Sequence, residues 1–163
     1  MEKDLIRAIL ACDEDWGIGK DGDLPWPKNS EDLKWFKEKT MGGVVVMGKT
    51  TWDSLPDNNK PLPGRNNIVI TSEEKRELGP YHFMTFPTAL GSIPQMSELQ
   101  NIWIIGGARL VNGLIDLIDE IHLSRISGTY DCDTFLSKDL IEEKFKLSST
   151  ENLSLTIEVW SKK

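Results

Sequence analysis

One carboxylate is singled out by its neighbours. Asp32 lies three residues before Trp35 and four before Phe36, and side chains at those spacings share one face of a helix. A carboxyl group pressed among aromatic rings loses solvation, so its pKa rises and it can serve acid–base chemistry near neutral pH. A plainer reading competes. An acid in the first turn of a helix complements the helix dipole, worth about 0.3–1 kcal/mol, and Glu31 suits that role as well as Asp32 does. Spacing alone leaves both readings open.

Two glycine patterns suggest phosphate binding, and both fail on context. Gly43-Val-Val-Val-Met-Gly48-Lys49-Thr50 fits the phosphate-loop pattern of nucleotide kinases. In such a loop the middle residues turn so that their N–H groups face phosphate. Here they are stiff and apolar and belong in a strand. Gly48-Lys49-Thr50 still sits at a strand end, where backbone N–H groups, a cation and a hydroxyl suit some other phosphate. Gly17-Ile18-Gly19-Lys20-Asp21-Gly22 fits the dinucleotide fingerprint, but Pro25 and Pro27 prevent a helix from opening at its last glycine. It reads as a mobile glycine-rich loop suited to covering a ligand.

The elements that must position these residues follow from local pattern. Leu5 to Cys12 is an apolar run and predicts a buried strand, and Asp13 to Pro27 is a loop. Asn29 or Ser30 caps a helix reaching Thr40. Gly43 to Met47, Asn67 to Thr71, Tyr81 to Met84, Ile102 to Ile105 and Ile121 to Ile126 read as strands. Lys49 to Leu55 suits a short helix, and Arg109 to Ile118 has helical character. Thr88 to Gln100 is ambiguous, because Gly91 and Pro94 interrupt any helix there. Phe145 to Ser149 and Leu155 to Trp160 look like a closing antiparallel pair. The alternation predicts an α/β fold on a mixed, mainly parallel central sheet flanked by helices, with a C-terminal antiparallel hairpin. Such sheets bind ligands outside the carboxyl ends of their strands, which directs attention to the loops after Cys12, Met47, Thr71 and Ile105.

The totals exclude several classes. A chain of 163 residues suggests one domain, 1–163, with a real core. A net charge of −7 argues against general nucleic-acid affinity, and an anionic ligand must then be met by local cations. Cys12 and Cys132 make no disulfide framework, and two histidines give no zinc-type spacing, so no metal is expected. No stretch approaches the roughly 18 apolar residues of a membrane span. The first residues carry acids and too short an apolar run for a signal peptide, so a reducing cytoplasm is the expectation.

Beyond this the chain resembles the dihydrofolate reductases. The blocks that carry the resemblance are Leu24-Pro25-Trp26, Asp32-Leu33-Lys34-Trp35-Phe36, Val46-Met47-Gly48-Lys49-Thr50-Thr51-Trp52-Asp53-Ser54, Leu62-Pro63-Gly64-Arg65-Asn66-Asn67-Ile68-Val69-Ile70-Thr71-Ser72, Ile104-Ile105-Gly106-Gly107-Ala108-Arg109 and Cys132-Asp133-Thr134-Phe135. Their order and intervals agree over nearly the whole chain. The resemblance implies NADPH-dependent hydride transfer to C6 of 7,8-dihydrofolate, with protonation at N5. Asp32 would bond the pterin, with Trp26, Leu24 and Ser124 completing the catalytic set. Ile9, Leu10 and Ala11 would line the pterin and nicotinamide. Leu33, Phe36, Leu55 and Leu62 would wall the aminobenzoyl ring, Ser54 would join the substrate-binding set, and Arg65 would take the α-carboxylate of the glutamate tail, a task that suits a guanidinium fork.

For the cofactor, the resemblance implies Gly48, Lys49, Thr50, Thr51, Thr71, Ser72 and Arg109 around ribose and phosphates. It adds Gly106, Gly107 and Ala108 where backbone approaches closely, and Ala11, Ile18, Gly19, Ile105, Leu110, Val111 and Thr134 nearer the nicotinamide. Ser124 replaces the family's usual Thr, Val111 its usual Tyr, and Glu73 brings an acid beside the expected 2′-phosphate. A monomer acting on a small-molecule substrate is expected, without nucleic acid or membrane. The rival readings are a pyrimidine reductase of riboflavin synthesis, which would leave Arg65 and Phe36 without a task, a phosphate-loop kinase, and a non-catalytic folate- or nucleotide-binding module.

Overall fold

The computed structural model describes residues 5–21, 24–27, 29–72, 81–152 and 154–163, with backbone alone for Tyr81 and His82. The elements run β1 (Ile6–Cys12), β2 (Gly17–Gly19), α1 (Ser30–Thr40), β3 (Val44–Gly48), α2 (Lys49–Ser54), β4 (Asn66–Ile70), β5 (Tyr81–Met84), α3 (Phe86–Met96), β6 (Ile102–Gly106), α4 (Ala108–Gly113), β7 (Glu120–Arg125), β8 (Thr134–Phe135), α5 (Lys138–Lys144), β9 (Phe145–Asn152) and β10 (Thr156–Lys162).

Eight strands form one sheet in the order β5-β4-β3-β6-β1-β7-β10-β9. From β5 to β7 every neighbouring pair is parallel. β10 runs antiparallel to β7, and β9 antiparallel to β10. This is the mixed, mainly parallel sheet expected from the alternating pattern. The parallel strands therefore end on one edge, and β6 inserts between β3 and β1, which is where such sheets hold ligands.

Strand periodicity sorts the side chains onto two faces. Ile6, Ala8, Leu10 and Cys12 of β1 enter one core, and Ile9 enters the other. Val44 and Val46 of β3 face the first core, and Val45 and Met47 the second. Strands buried on both faces are why these stretches read as apolar runs, interrupted in β1 only by Arg7. Residues of α3, α4 and α5 cover the first face, including Ile93, Val111 and Ile141. Trp35 and Phe36 of α1 and Trp52 of α2 cover the second.

Three local expectations are corrected. α3 runs through Gly91 and Pro94 instead of breaking there. Ala89 and Ile93, four residues apart, are both fully buried, and that packing outweighs the poor local propensity. α4 stops at Gly113 rather than continuing to Ile118, and hydrogen-bonded turns carry the chain through Leu117 and Ile118. The loop after β1 is not irregular throughout. Its β2 segment pairs with β8, and α5 follows, capped by Ser137 Oγ accepting from the N–H of Leu140 at 3.3 Å.

Where α4 ends, it packs against the start of α3. A Cβ on Gly113 would lie 2.7 Å from the Phe86 ring. Gly113→Ala is therefore expected to destabilise the fold by about 1–3 kcal/mol through overpacking. The midpoint of urea unfolding measures this, and adding Phe86→Leu should restore part of the loss.

Candidate active site

Local chemistry decides between the two acids of α1. Asn29 caps the helix, its Oδ1 accepting from the N–H of Asp32 at 3.0 Å, so no acidic side chain is needed for that task. Glu31 points to solvent, whereas Asp32 is only 7% exposed. Burial pushes the Asp32 carboxyl above the ordinary carboxylate range, and the hydroxyl of Ser124 on β7 partly opposes the rise. Ser124 Oγ is buried without a closed hydrogen bond, and its polarity stabilises the charged form of Asp32. Ser124 is in register with Ala11 of β1, which sets Asp32 over the end of the central strand.

Trp26 is buried and its Nε1 also lacks a partner. Its ring meets that of Tyr130 edge-on, with centroids 6.0 Å apart. An orphaned buried polar atom costs about 1–3 kcal/mol. Such atoms mark positions where a polar ligand or a water completes the network. Leu24 is 52% exposed and lies on the outer side of this loop.

The second face supplies apolar walls. Ile9 and Leu62 are buried in that core, with Phe36, Leu55 and Ile105 packed against it. Leu33 is exposed, as is Ser54, whose hydroxyl donates to the carbonyl of Thr51 at 2.7 Å. Arg65 is half-buried and already oriented. Its Nε donates to the carbonyl of Pro63 at 3.0 Å and an Nη to Thr40 Oγ1 at 3.1 Å. Thr40 in turn donates to the carbonyl of Phe36 at 2.8 Å, which ties the guanidinium to the end of α1. Leu10 turns its side chain to the first core instead, towards Gly106.

The other half of the edge brings glycine-bearing junctions together. A Cβ on Gly48, at the start of α2, would lie 3.8 Å from Gly106 O and Gly107 N, at the start of α4. A Cβ on Gly106 would lie 3.5 Å from Thr51 Oγ1. Gly106 has φ +130°, a conformation that L side chains rarely adopt. Ala108 is buried at this junction and Thr71 is buried, while Thr50, Ser72, Arg109 and Thr134 are exposed, Thr134 on β8. Lys49 is held by Asp53 at 2.5 Å. Leu110 and Val111 are buried in the first core. Glu73 falls outside the described residues.

Sequence reasoning missed the residue that pins the loop over this edge. Asp13, 1% exposed, accepts at Oδ1 from the N–H groups of Asp15 and Gly17, both at 2.9 Å. Its Oδ2 accepts from the N–H of Tyr130 at 3.1 Å and from Cys132 Sγ at 3.4 Å. Burial by itself raises this carboxyl, but the donated hydrogen bonds outweigh it and hold Asp13 below the ordinary range. Asp133 adds a second tie, Oδ2 accepting from the N–H of Asp21 at 2.9 Å. Through Asp21, Ile18 and Gly19 therefore belong to a loop anchored at both ends. The available signal was an acid directly after an apolar strand, the first of the three in Asp13-Glu14-Asp15. Two of its four partners, Tyr130 and Cys132, lie more than a hundred residues away.

An open α/β sheet with a buried acid at one end of its strand-edge crevice, and glycines, hydroxyls and cations at the other, defines a site for a substrate beside a phosphate-bearing cofactor. Comparison with known proteins makes this specific. The dihydrofolate reductase family profile matches residues 5–156. The dihydrofolate reductase of Rattus norvegicus is 34% identical over 157 residues, covering 87% of this chain and 83% of the relative. The bifunctional dihydrofolate reductase-thymidylate synthase of Glycine max is 32% identical over 146 residues, covering 80% of this chain, and the match spans only 27% of that longer protein. The solved dihydrofolate reductase of Enterococcus faecalis, complexed with NADP(H) and a second ligand, superposes with a TM-score of 0.80 at 27% identity, covering 98% of this chain and 96% of the other. The chain belongs to the dihydrofolate reductase family.

The buried acid makes a testable demand on stability. With its folded pKa raised, Asp32 keeps its proton at pH values where the unfolded chain has released it, so stability falls as pH rises through that window. Asp32→Asn is therefore expected to raise the thermal midpoint at pH 7. The gain should vanish as pH falls below the ordinary carboxylate value, and a series of melts across pH reads it directly.

Proposed function

We propose that this chain is a dihydrofolate reductase, transferring hydride from NADPH to C6 of 7,8-dihydrofolate with protonation at N5 to give tetrahydrofolate. The observation that carries the reading is Asp32, a buried carboxyl with raised pKa facing Ser124 across the end of the central strand. It stands beside apolar walls that lead to the half-buried Arg65. Such a site suits an elongated substrate with a polar ring at one end and an anion at the other.

Asp32 holds the polar edge of the pterin, and its charge favours protonation of the ring as hydride arrives. Trp26, through its unpartnered Nε1, holds a water there, and Leu24 covers it. Ile9 and Ala11 contact the pterin, Phe36, Leu55 and Leu62 enclose the aminobenzoyl ring, and Arg65 pairs with the tail carboxylate. NADPH, when bound, supplies the hydride. The residues present fit it: Gly106 and Gly107 leave room for close approach, Thr51 and Ser72 offer hydroxyls, and Lys49 and Arg109 offer charge for the phosphates. Lys49 reaches a phosphate by leaving Asp53. Ile18, Gly19 and Thr134 close over the nicotinamide end.

We read residues 1–163 as one domain, acting as a monomer on this small molecule in the cytoplasm, independent of nucleic acid and open to antifolates. The net charge of −7 supports independence from nucleic acid. Among the described residues no helix is long and apolar enough to cross a membrane.

The direct test follows NADPH absorbance with and without dihydrofolate. Folate-dependent decay blocked by a diaminopyrimidine is the expected result. A folded protein that binds NADPH without such decay would point to another reductase substrate or to a binding module. Two substitutions assign the roles. Asp32→Asn should lower turnover near neutral pH by about 10²–10⁴-fold, the range for a lost acid–base group, while folate binding persists in part. Arg65→Leu should raise the dihydrofolate KM by about ten- to a hundredfold, from loss of a charged hydrogen bond of about 1.5–3 kcal/mol, with little change for NADPH. An equal loss for both ligands would contradict the role given to Arg65.

A further inference from the structure

β4 contains one polar residue that chemistry would not place there without a reason. Asn67 precedes Ile68, Val69 and Ile70 and is 0% exposed. It pairs in register with Val45 on one side and Tyr81 on the other. By strand alternation it shares a face with Val69, the face that carries Leu62 and Phe36. An amide on an apolar face is costly unless its donors and acceptor are satisfied.

Asn67 is satisfied by one short segment. Its Oδ1 accepts from the N–H of Leu62 at 2.9 Å. Its Nδ2 donates to the carbonyl of Leu62 at 3.0 Å and to that of Arg65 at 3.1 Å. Both amide hydrogens are used. The segment from Leu62 to Arg65 has no helix or strand of its own, so this side chain supplies pairing that regular structure supplies elsewhere. It thereby fixes two backbones at once: that of Leu62, whose side chain is an apolar wall, and that of Arg65, whose guanidinium waits at the end of it.

We propose that Asn67 is a positioning residue that sets the preference of this site for a substrate with an anionic tail, by holding Leu62 and Arg65 at a fixed separation. The proposal rests on the reading in which Arg65 takes the tail carboxylate. Asn67 touches no substrate. It acts through the loop, so its effect falls on the tail and not on the ring that receives hydride.

The test compares two substrates, dihydrofolate and a 7,8-dihydropterin lacking the aminobenzoylglutamate tail, in wild type, Asn67→Ala and Asn67→Asp. In Asn67→Ala the ratio of kcat/KM for dihydrofolate to that for the tail-less pterin should fall on the order of tenfold, the consequence of a lost buried hydrogen bond, and it should fall through the KM for dihydrofolate. Asn67→Asp is the nearly isosteric control. Ionised, it turns an oxygen towards two carbonyls, and protonated it regains one donor. Its ratio, measured against wild type at each pH, should recover as pH is lowered. A variant that loses both substrates equally, or loses kcat alone, overturns the proposal, because a merely structural role would do that. Wild type that handles both substrates with the same KM overturns the role of Arg65 itself, and the proposal with it.

Discussion

Asp32 is kept out of water by a helix that caps itself with another residue. Because Asn29 satisfies the N–H of Asp32, the Asp32 carboxyl is not spent on the helix terminus. Because Trp35 and Phe36 pack on the second face of the sheet, the helix is rotated so that this carboxyl turns inward. The other positions follow from that rotation. Ser124 and Ala11 stand opposite each other where β7 and β1 end. The far end of the same helix presents Thr40 to Arg65. One helix therefore spans the site, with the acid in its first turn and the anchor for the cation in its last. The stability forgone by burying an acid is recovered as a group able to meet charge developing on a bound ring.

Where regular structure stops, buried side chains take over the pairing of the backbone. Asn67 does so for the segment that carries Leu62 and Arg65. Asp13 does so for the loop that follows β1, gathering four donors on two oxygens. Both are polar groups in places where an apolar side chain would fit the surroundings, and both reach backbone more than they reach side chains. Gly17 shows how closely the loop is drawn in, since a Cβ there would overlap the Cys132 side chain. The ring of Tyr130, whose N–H is held by Asp13, meets that of Trp26, so the same clamp supports Trp26.

The sheet and most of its strands were legible because parallel strands buried on two faces must be mostly apolar, as β3 and β6 are throughout and β1 is apart from Arg7. Asp32 was legible as a candidate through its spacing to Trp35 and Phe36, but choosing it over Glu31 needed the rotation of α1, which spacing does not fix. α3 was obscured because Gly91 and Pro94 are local signals, while the burial of Ala89 and Ile93 that overrides them is tertiary. Asp13 was invisible for a related reason: two of its partners stand beyond residue 127, and no local pattern announces them. Leu10 and Val111 were assigned to the ligands by resemblance to a family; both side chains are buried in the first core, Leu10 beside Gly106.

The cations of the site differ in how firmly they are held, and that difference bears on how each end binds. Arg65 is half-buried, with two of its donors already engaged by Pro63 and Thr40. Little rotamer entropy remains to be lost when it meets a carboxylate, so its contribution is geometric as well as electrostatic. Lys49 is paired with Asp53 on the surface, and Arg109 is exposed. A phosphate bound there, as proposed, would exchange one ion pair for another and order an exposed side chain, in a region that salt screens. A chain of net charge −7 cannot attract anions by its overall field, so recognition depends on these local groups. Under the proposed function, the tail end would discriminate by fixed shape, while the phosphate end would gather several weak, exchangeable contacts around glycines that let the backbone come close.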